Sequence, residues 1–156
     1  EAGTKLLLCP GASQIYYGDE SSRLLNIPGA RGDATLRSKM NWEEIASNEV
    51  RNGVAVGTVL DHYRKLGRFR RDHPAVGSGV HQMISKNPHY FSRMDNRGDR
   101  IVAGLDLKAG KHSIDVSSVF EDGSSLIDYY SGTKLKVKKG KAELESEFDI
   151  VLLAEE

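Results

Sequence analysis

One stretch near the start of the chain reads Leu6-Leu7-Leu8-Cys9-Pro10-Gly11-Ala12-Ser13-Gln14-Ile15-Tyr16-Tyr17-Gly18-Asp19-Glu20. Its first apolar block stops at Pro10-Gly11, and its second block, Ile15 to Tyr17, is β-prone and stops at Gly18. Asp19 and Glu20 follow at once. Carboxylates at strand ends are typical of the functional face of α/β barrels. The stretch therefore predicts a strand with a polar, site-lining end.

A helix is predicted from about residue 56 to residue 71, after a polar loop over residues 21–50. Basic side chains fall in its last turn, where cations favour the helix dipole, and Pro74 ends it. A loop as long as 21–50 is more often functional or disordered than idle. The apolar residues that recur at helical spacing are Val56, Val59, Leu60, Tyr63, Leu66 and Phe69.

From Val80 onward the hydrophobic period changes to two, and turn residues recur at short intervals. This pattern predicts an antiparallel β-sandwich, which we expect to be of Greek-key type, in a mainly β fold with an N-terminal α/β part. A two-residue turn at Lys139-Gly140 would place Lys136 opposite Glu143 and Lys134 opposite Glu145. The predicted strands are 80–84, 89–94, 100–106, 112–116, 125–130, 133–137, 142–147 and 148–153.

Length and composition narrow the function classes. At 156 residues the chain is too short for a complete eight-stranded barrel, which needs about 250 residues. Its 22 basic residues balance its 22 acidic ones, so no net charge attracts nucleic acid or an anionic membrane. The single cysteine, Cys9, allows no internal disulfide, and its apolar neighbours predict a buried thiol. The five histidines lack metal-ligand spacing.

Four segments, in this order, carry a resemblance to a known family. The stretch 6–20 resembles the helix and final strand near the end of the catalytic barrel in the α-amylase family of retaining glycoside hydrolases. Arg37-Ser38-Lys39-Met40-Asn41-Trp42 is similar to the arginine, methionine and tryptophan element that follows that strand. Residues 59–75 resemble the closing barrel helix. Residues 90–93 and 100–106 resemble the opening strands of the β-domain behind the barrel.

The resemblance implies a C-terminal fragment of an α-amylase-type enzyme that acts on α-glucans such as starch and maltooligosaccharides. Residues 1–76 would be the end of the (β/α)8 barrel, with its last strand, long loop and last helix, and residues 77–156 the C-terminal β-sandwich domain. The family's catalytic aspartate, glutamate and second aspartate lie upstream of the stretch 6–20. Asp19 and Glu20 cannot replace them, because neighbours on an extended segment point to opposite faces. We therefore expect no catalytic residue in this chain and no activity by it alone.

The candidate substrate-binding residues are Tyr17, Asp19, Glu20, Arg37 and Trp42. Tyr17 and the two acids would offer hydrogen bonds to a sugar, Arg37 would lie near the acceptor sugar, and the Trp42 ring would stack on a sugar face. The alternatives are that Tyr17 packs inside, that the acids cap loop amides, and that Arg37 and Trp42 anchor the loop. No cofactor is expected in this chain, and the resemblance allows for calcium in the parent enzyme.

The expected partner is an α-glucan bound through the parent barrel, with neither nucleic acid nor membrane. Apolar surface of the barrel remnant predicts self-association of the isolated chain. Localisation stays open from the residues, and the resemblance suggests a secreted or periplasmic protein. A second function class also remains open at this point: an autonomous carbohydrate-binding or interaction module that shares the sandwich.

Overall fold

A computed structural model of the chain describes residues 2–25 and 27–156. These residues divide into two compact units, one of Glu1–Leu6 with Ser13–Arg64 and one of Leu7–Ala12 with Lys65–Glu156. The domain limits implied by the family resemblance, 1–76 and 77–156, stay a prediction. The compact units are defined by contacts within this chain, whereas those domain limits come from the resemblance to the family.

The N-terminal half of the chain is built from short elements and one long helix. The predicted polar loop over residues 21–50 contains a 3₁₀ turn, a short helix and the first strand of a small hairpin. The elements are α1 (Ala2–Leu8), 3₁₀ turns at Asp19–Ser21 and Gly32–Leu36, α2 (Trp42–Ser47), β1 (Val50–Arg51), β2 (Val54–Ala55) and α3 (Val56–Asp72). The predicted helix 56–71 is confirmed as α3, with Pro74 just beyond its end.

The predicted strand at Ile15 to Tyr17 is wrong. This segment is irregular and leads into the 3₁₀ turn at Asp19–Ser21. A parallel strand forms only beside a partner that completes its hydrogen-bond ladder, and no strand pairs with these residues within the described part of the chain. The tyrosines instead use their hydroxyl groups and rings, as described below.

The C-terminal part forms two antiparallel sheets, as predicted, after the short helix α4 (Ala75–Ser78). A six-stranded sheet has the order β3-β4-β5-β10-β7-β8, and β6 pairs with β9 in a second sheet. The chain therefore passes between the sheets four times. The strands are β3 (Val80–Ser85), β4 (His89–Met94), β5 (Arg100–Leu105), β6 (Gly110–Asp115), β7 (Ser125–Asp128), β8 (Lys134–Lys136), β9 (Lys141–Ser146) and β10 (Val151–Glu155).

The core of the sandwich lies between these two sheets. Tyr90, Val102 and Leu153 of the larger sheet join Ile114 and Leu144 of the smaller one in a single buried cluster. Strands β5 and β10 are buried at nearly every position, because their other faces are covered as well. Helix α4 packs against β4 and β5 on that side. Two covered faces explain why these strands read as continuous apolar runs.

The turn at Lys139-Gly140 forms as predicted, but the strand pairing expected beyond it is wrong. Both turn residues have positive φ, and the backbones of Lys138 and Lys141 exchange two hydrogen bonds. Beyond that pair, β8 and β9 do not pair with each other. Lys136 lies opposite Ser125 on β7, and Glu143 lies opposite Ser113 on β6. The turn therefore carries the chain from one sheet to the other, which local charge matching cannot reveal.

Candidate functional site

The first unit is organised around one buried arginine, Arg23, of which 7% is exposed. Its Nε donates to the backbone oxygen of Tyr17 at 3.1 Å, and its Nη1 donates to the backbone oxygen of Ser38 at 2.8 Å. Nη2 reaches the backbone oxygen of Leu36 at 3.2 Å. One guanidinium thus joins the segment around Tyr17 to the segment 36–38, and its planar, five-donor geometry suits such a junction.

The two tyrosines complete this junction from the outside. The hydroxyl of Tyr16 donates to the backbone oxygen of Leu36 at 3.1 Å, and that of Tyr17 to the backbone oxygen of Ser38 at 3.0 Å. The Arg23 guanidinium lies 4.0 Å from the centre of the Tyr17 ring, within cation–π range. With 43% of Tyr17 exposed, the residue combines a fixed position with an accessible surface.

The two candidate carboxylates take different roles. Glu20 folds back on its own turn, where its Oε2 accepts a hydrogen bond from the backbone N–H of Gly18 at 2.9 Å. Asp19 is exposed in the 3₁₀ turn. Burial raises the pKa of the Tyr63 hydroxyl, and the nearby negative charges of Asp19 and Glu20 raise it further. The predicted alternative of an acid that caps a loop amide thus describes Glu20.

A side-chain pair ties the 3₁₀ turn to the residue before Trp42. Ser21 Oγ donates to Asn41 Oδ1 at 2.7 Å, and Asn41 Nδ2 donates to the backbone oxygen of Ser21 at 2.9 Å. Trp42 begins α2 immediately afterwards, and 68% of it is exposed beside a shallow depression lined by residues 39–44. A large, exposed aromatic ring on a hydrogen-bonded backbone is suited to stacking against an apolar sugar face.

The arrangement brings Tyr17 close in space to the segment that carries Arg37. Arg37 is exposed at the end of the second 3₁₀ turn, between the two residues whose carbonyls accept from Arg23 and the tyrosines. Sequence reasoning did not single out Arg23. The available signal was a cation following paired tyrosines in a segment otherwise poor in basic residues.

Among residues 2–25 and 27–156, no three histidine, cysteine, aspartate or glutamate side chains are placed to hold a metal ion. None of the described helices has the length and apolar character needed to cross a membrane.

Cys9, predicted to be buried, is exposed, because the apolar residues Leu7 and Leu8 before it turn inward while the chain turns out at Pro10.

Known proteins resemble this chain over part of their length. It is 34% identical over 102 residues to the periplasmic alpha-amylase of Escherichia coli (strain K12), a match that covers 65% of this chain and 14% of that protein. The solved alpha-amylase from Anoxybacillus superposes with a TM-score of 0.62 at 24% identity, over 98% of this chain and 31% of its own. AmyP, solved in complex with maltose, superposes with a TM-score of 0.66 at 16% identity, over 98% of this chain and 33% of its own.

The similarity to the α-amylase family that the sequence motifs indicate is thus confirmed, and the chain corresponds to part of such enzymes. It spans about one seventh of the curated relative and about a third of the solved structures. The solved structures share its fold, including the antiparallel sandwich. No family model matches the chain.

Proposed function

We propose, from this similarity to α-amylase family enzymes, that the chain is the C-terminal portion of an α-amylase-type glycoside hydrolase that acts on α-glucans in carbohydrate metabolism. The observation that carries the proposal is the 34% identity to a periplasmic alpha-amylase over 102 residues. The likeness in fold over 98% of this chain supports it. That relative also supports a periplasmic or secreted location.

A retaining glycosidase requires two carboxyl groups about 5 to 5.5 Å apart on either side of the scissile bond. Glu20 is held by its own turn, with its Oε2 on the Gly18 amide. Asp19 is exposed beside it on the same turn. Neither is arranged as such a pair, so the proposal assigns the catalytic carboxylates to the rest of the enzyme and predicts no catalysis by this chain alone.

The contribution of this chain to glucan binding is assigned to Tyr17, Arg37 and Trp42. Trp42 would offer its ring to an apolar sugar face, and Tyr17 would offer the exposed part of its ring while its hydroxyl holds Ser38. Arg37 would donate hydrogen bonds to sugar hydroxyls. Asp19 remains as a hydrogen-bond acceptor, whereas Glu20 is engaged with its own turn.

Amide chemical-shift mapping with maltotriose tests this assignment on the chain as it stands. We expect weak, millimolar binding, because most of the parent site is absent, with shifts confined to residues 15–42. The Trp42→Ala variant should abolish these shifts without unfolding the unit, since 68% of Trp42 is exposed. Shifts centred on the sandwich strands would instead favour the alternative, an autonomous carbohydrate-binding module.

A further inference from the structure

One end of the sandwich carries a cleft that the proposed function does not use. The cleft has a volume of about 690 Å³ and lies where the loop after β3 meets the loop between β5 and β6. Its polar side chains are those of Lys86, Asn87, His89, Asp106, Lys108, Lys111 and His112. Pockets of 300–1,000 Å³ are of the size that holds small molecules.

Lysines outnumber acidic side chains in the lining of this cleft. None of the three lysines, Lys86, Lys108 and Lys111, forms an ion pair within the part of the chain that the structure describes. Asp106 is the acid that lines the cleft, and Glu145 faces Lys111 across the β6–β9 pairing without closing to salt-bridge distance. Three unpaired ammonium groups around one concavity raise the local concentration of anions.

The base of the cleft is formed in part by buried side chains. The hydroxyl of Tyr90, in the sandwich core, lies 3.0 Å from Nδ1 of His112. The other ring nitrogen, Nε2, is buried without a hydrogen-bond partner among the described residues. Leu105 and Leu107 back the cleft and are both buried. Such a wall keeps water away from one side of a bound group and so strengthens its electrostatic interactions.

A second lysine-rich depression on the same unit lacks these properties. Its lining has four lysines, Lys134, Lys136, Lys138 and Lys141, together with Glu143 and Glu156. Lys134 forms an ion pair with Glu156 there. An ion pair therefore forms inside this depression, whereas the described residues show none inside the first cleft, and the second depression can serve as a comparison for it.

We propose that the cleft between the β3–β4 and β5–β6 loops binds an oxyanion group, either free phosphate or the phosphate of a phosphorylated sugar. Lysine ammonium groups bind phosphate as mobile point charges, which suits three lysines on separate loops and strand ends. The imidazole of His89 adds a further donor beside them, while His112 is held against Tyr90 at the base of the cleft. This inference is independent of the proposed glucan hydrolase function, because it uses none of the residues assigned to glucan binding.

The test is an amide chemical-shift titration of the full chain with inorganic phosphate, glucose 6-phosphate and glucose. Both phosphates should shift the amides of residues 86–89 and 105–112 saturably, and glucose should not. The double variant Lys108→Gln/Lys111→Gln should weaken phosphate binding at least about fivefold, as loss of two exposed charge contacts implies. Lys136→Gln, the matched control in the second depression, should leave the affinity unchanged.

The two sources of phosphate are separated by their relative affinities. Tighter binding of glucose 6-phosphate than of inorganic phosphate assigns the site to a sugar phosphate, and equal affinities assign it to the free anion. Absence of saturable shifts in the cleft with either phosphate would overturn the proposal. An equal loss of affinity in Lys136→Gln and in the double variant would overturn it too, since binding would then be diffuse.

Discussion

At the scale of single residues, Arg23 has the largest structural role in the first unit. Three of its nitrogens each reach a different backbone carbonyl, those of Tyr17, Leu36 and Ser38, and its guanidinium also stacks on the Tyr17 ring. Loss of a buried arginine leaves the Tyr17 carbonyl without this donor, whereas the Leu36 and Ser38 carbonyls keep only the tyrosine hydroxyls. The exposed candidates Tyr17 and Arg37 thus depend on a residue that no sugar is expected to touch.

Replacement of Arg23 by methionine keeps much of its volume and removes every donor. We expect the first unit to lose about 2–4 kcal/mol of unfolding free energy, from three lost hydrogen bonds, from the Tyr17 carbonyl left without its donor and from the lost cation–π contact. Urea denaturation followed by the fluorescence of Trp42, which lies in this unit, measures the loss. Arg37→Met is the matched control and should change stability by less than about 0.5 kcal/mol, as exposed substitutions do. Equal losses in both variants would contradict the central place of Arg23.

Gly18 is fixed by two constraints that can be separated by mutation. Its φ of +93° is unfavourable for other residues, and an added Cβ would lie 2.3 Å from Nε of Arg23. Gly29 in the same unit has a φ of +78° with no atom within 4 Å of the added Cβ. We therefore expect Gly18→Ala to destabilise the unit by about 2–4 kcal/mol and Gly29→Ala by about 1 kcal/mol. Thermal unfolding of both variants makes the comparison, and similar losses would show that the close approach of Arg23 is unimportant.

At the scale of elements, the segment after α1 is held to the sandwich unit by its backbone. Arg70 of α3 donates from Nη1 to the backbone oxygens of Leu7 and Cys9, each at 2.7 Å, and from Nη2 to that of Gly11. Cations at the C-terminal end of a helix satisfy its last carbonyls in this way. The N–H of Gly11 in turn donates to the backbone oxygen of Gly77 at 2.8 Å. This explains why residues 7–12 belong to the second compact unit.

Removal of the Arg70 side chain should release this segment without unfolding the sandwich. In Arg70→Met we expect hydrogen exchange at the Gly11 amide to become at least about tenfold faster, the equivalent of about 1.4 kcal/mol. Amides of β5 and β10 should keep their exchange rates. Arg68→Met, on the same helix but exposed, is the control and should leave Gly11 unchanged. Unchanged exchange at Gly11 in Arg70→Met would rule out the backbone clamp.

Elements with strong local patterns could be predicted from the sequence, and elements that need a distant partner could not. Helix α3 has helical spacing and Pro74 behind it, and the strands of the sandwich alternate or run apolar between turn residues. The segment Ile15 to Tyr17 has β-prone residues, but strand formation requires a neighbour outside any local window. The strands on either side of Lys139-Gly140 were mispredicted for the same reason. β8 pairs with β7 and β9 pairs with β6, and both partners lie outside the local window.

At the scale of the whole molecule, the candidate residues could be named from the sequence, but their internal contacts could not. Tyr17 and Trp42 are exposed and lie in the same compact unit, and their part in sugar binding stays a prediction. The buried Arg23 and the Ser21–Asn41 pair escaped prediction, because single polar residues in a loop carry no periodic signal. The function of the whole enzyme likewise cannot be read from this chain alone, because the chain spans only a fraction of its relatives' length.

The measurement that tests the account most directly is the release of reducing ends from soluble starch. It should be made on this chain alone and on the full polypeptide of its reading frame, under the same conditions. We predict no turnover by the 156-residue chain and clear turnover by the full polypeptide, because the proposal assigns the paired carboxylates to the remainder of the enzyme. Turnover by this chain alone, or none by the full polypeptide, would contradict the account.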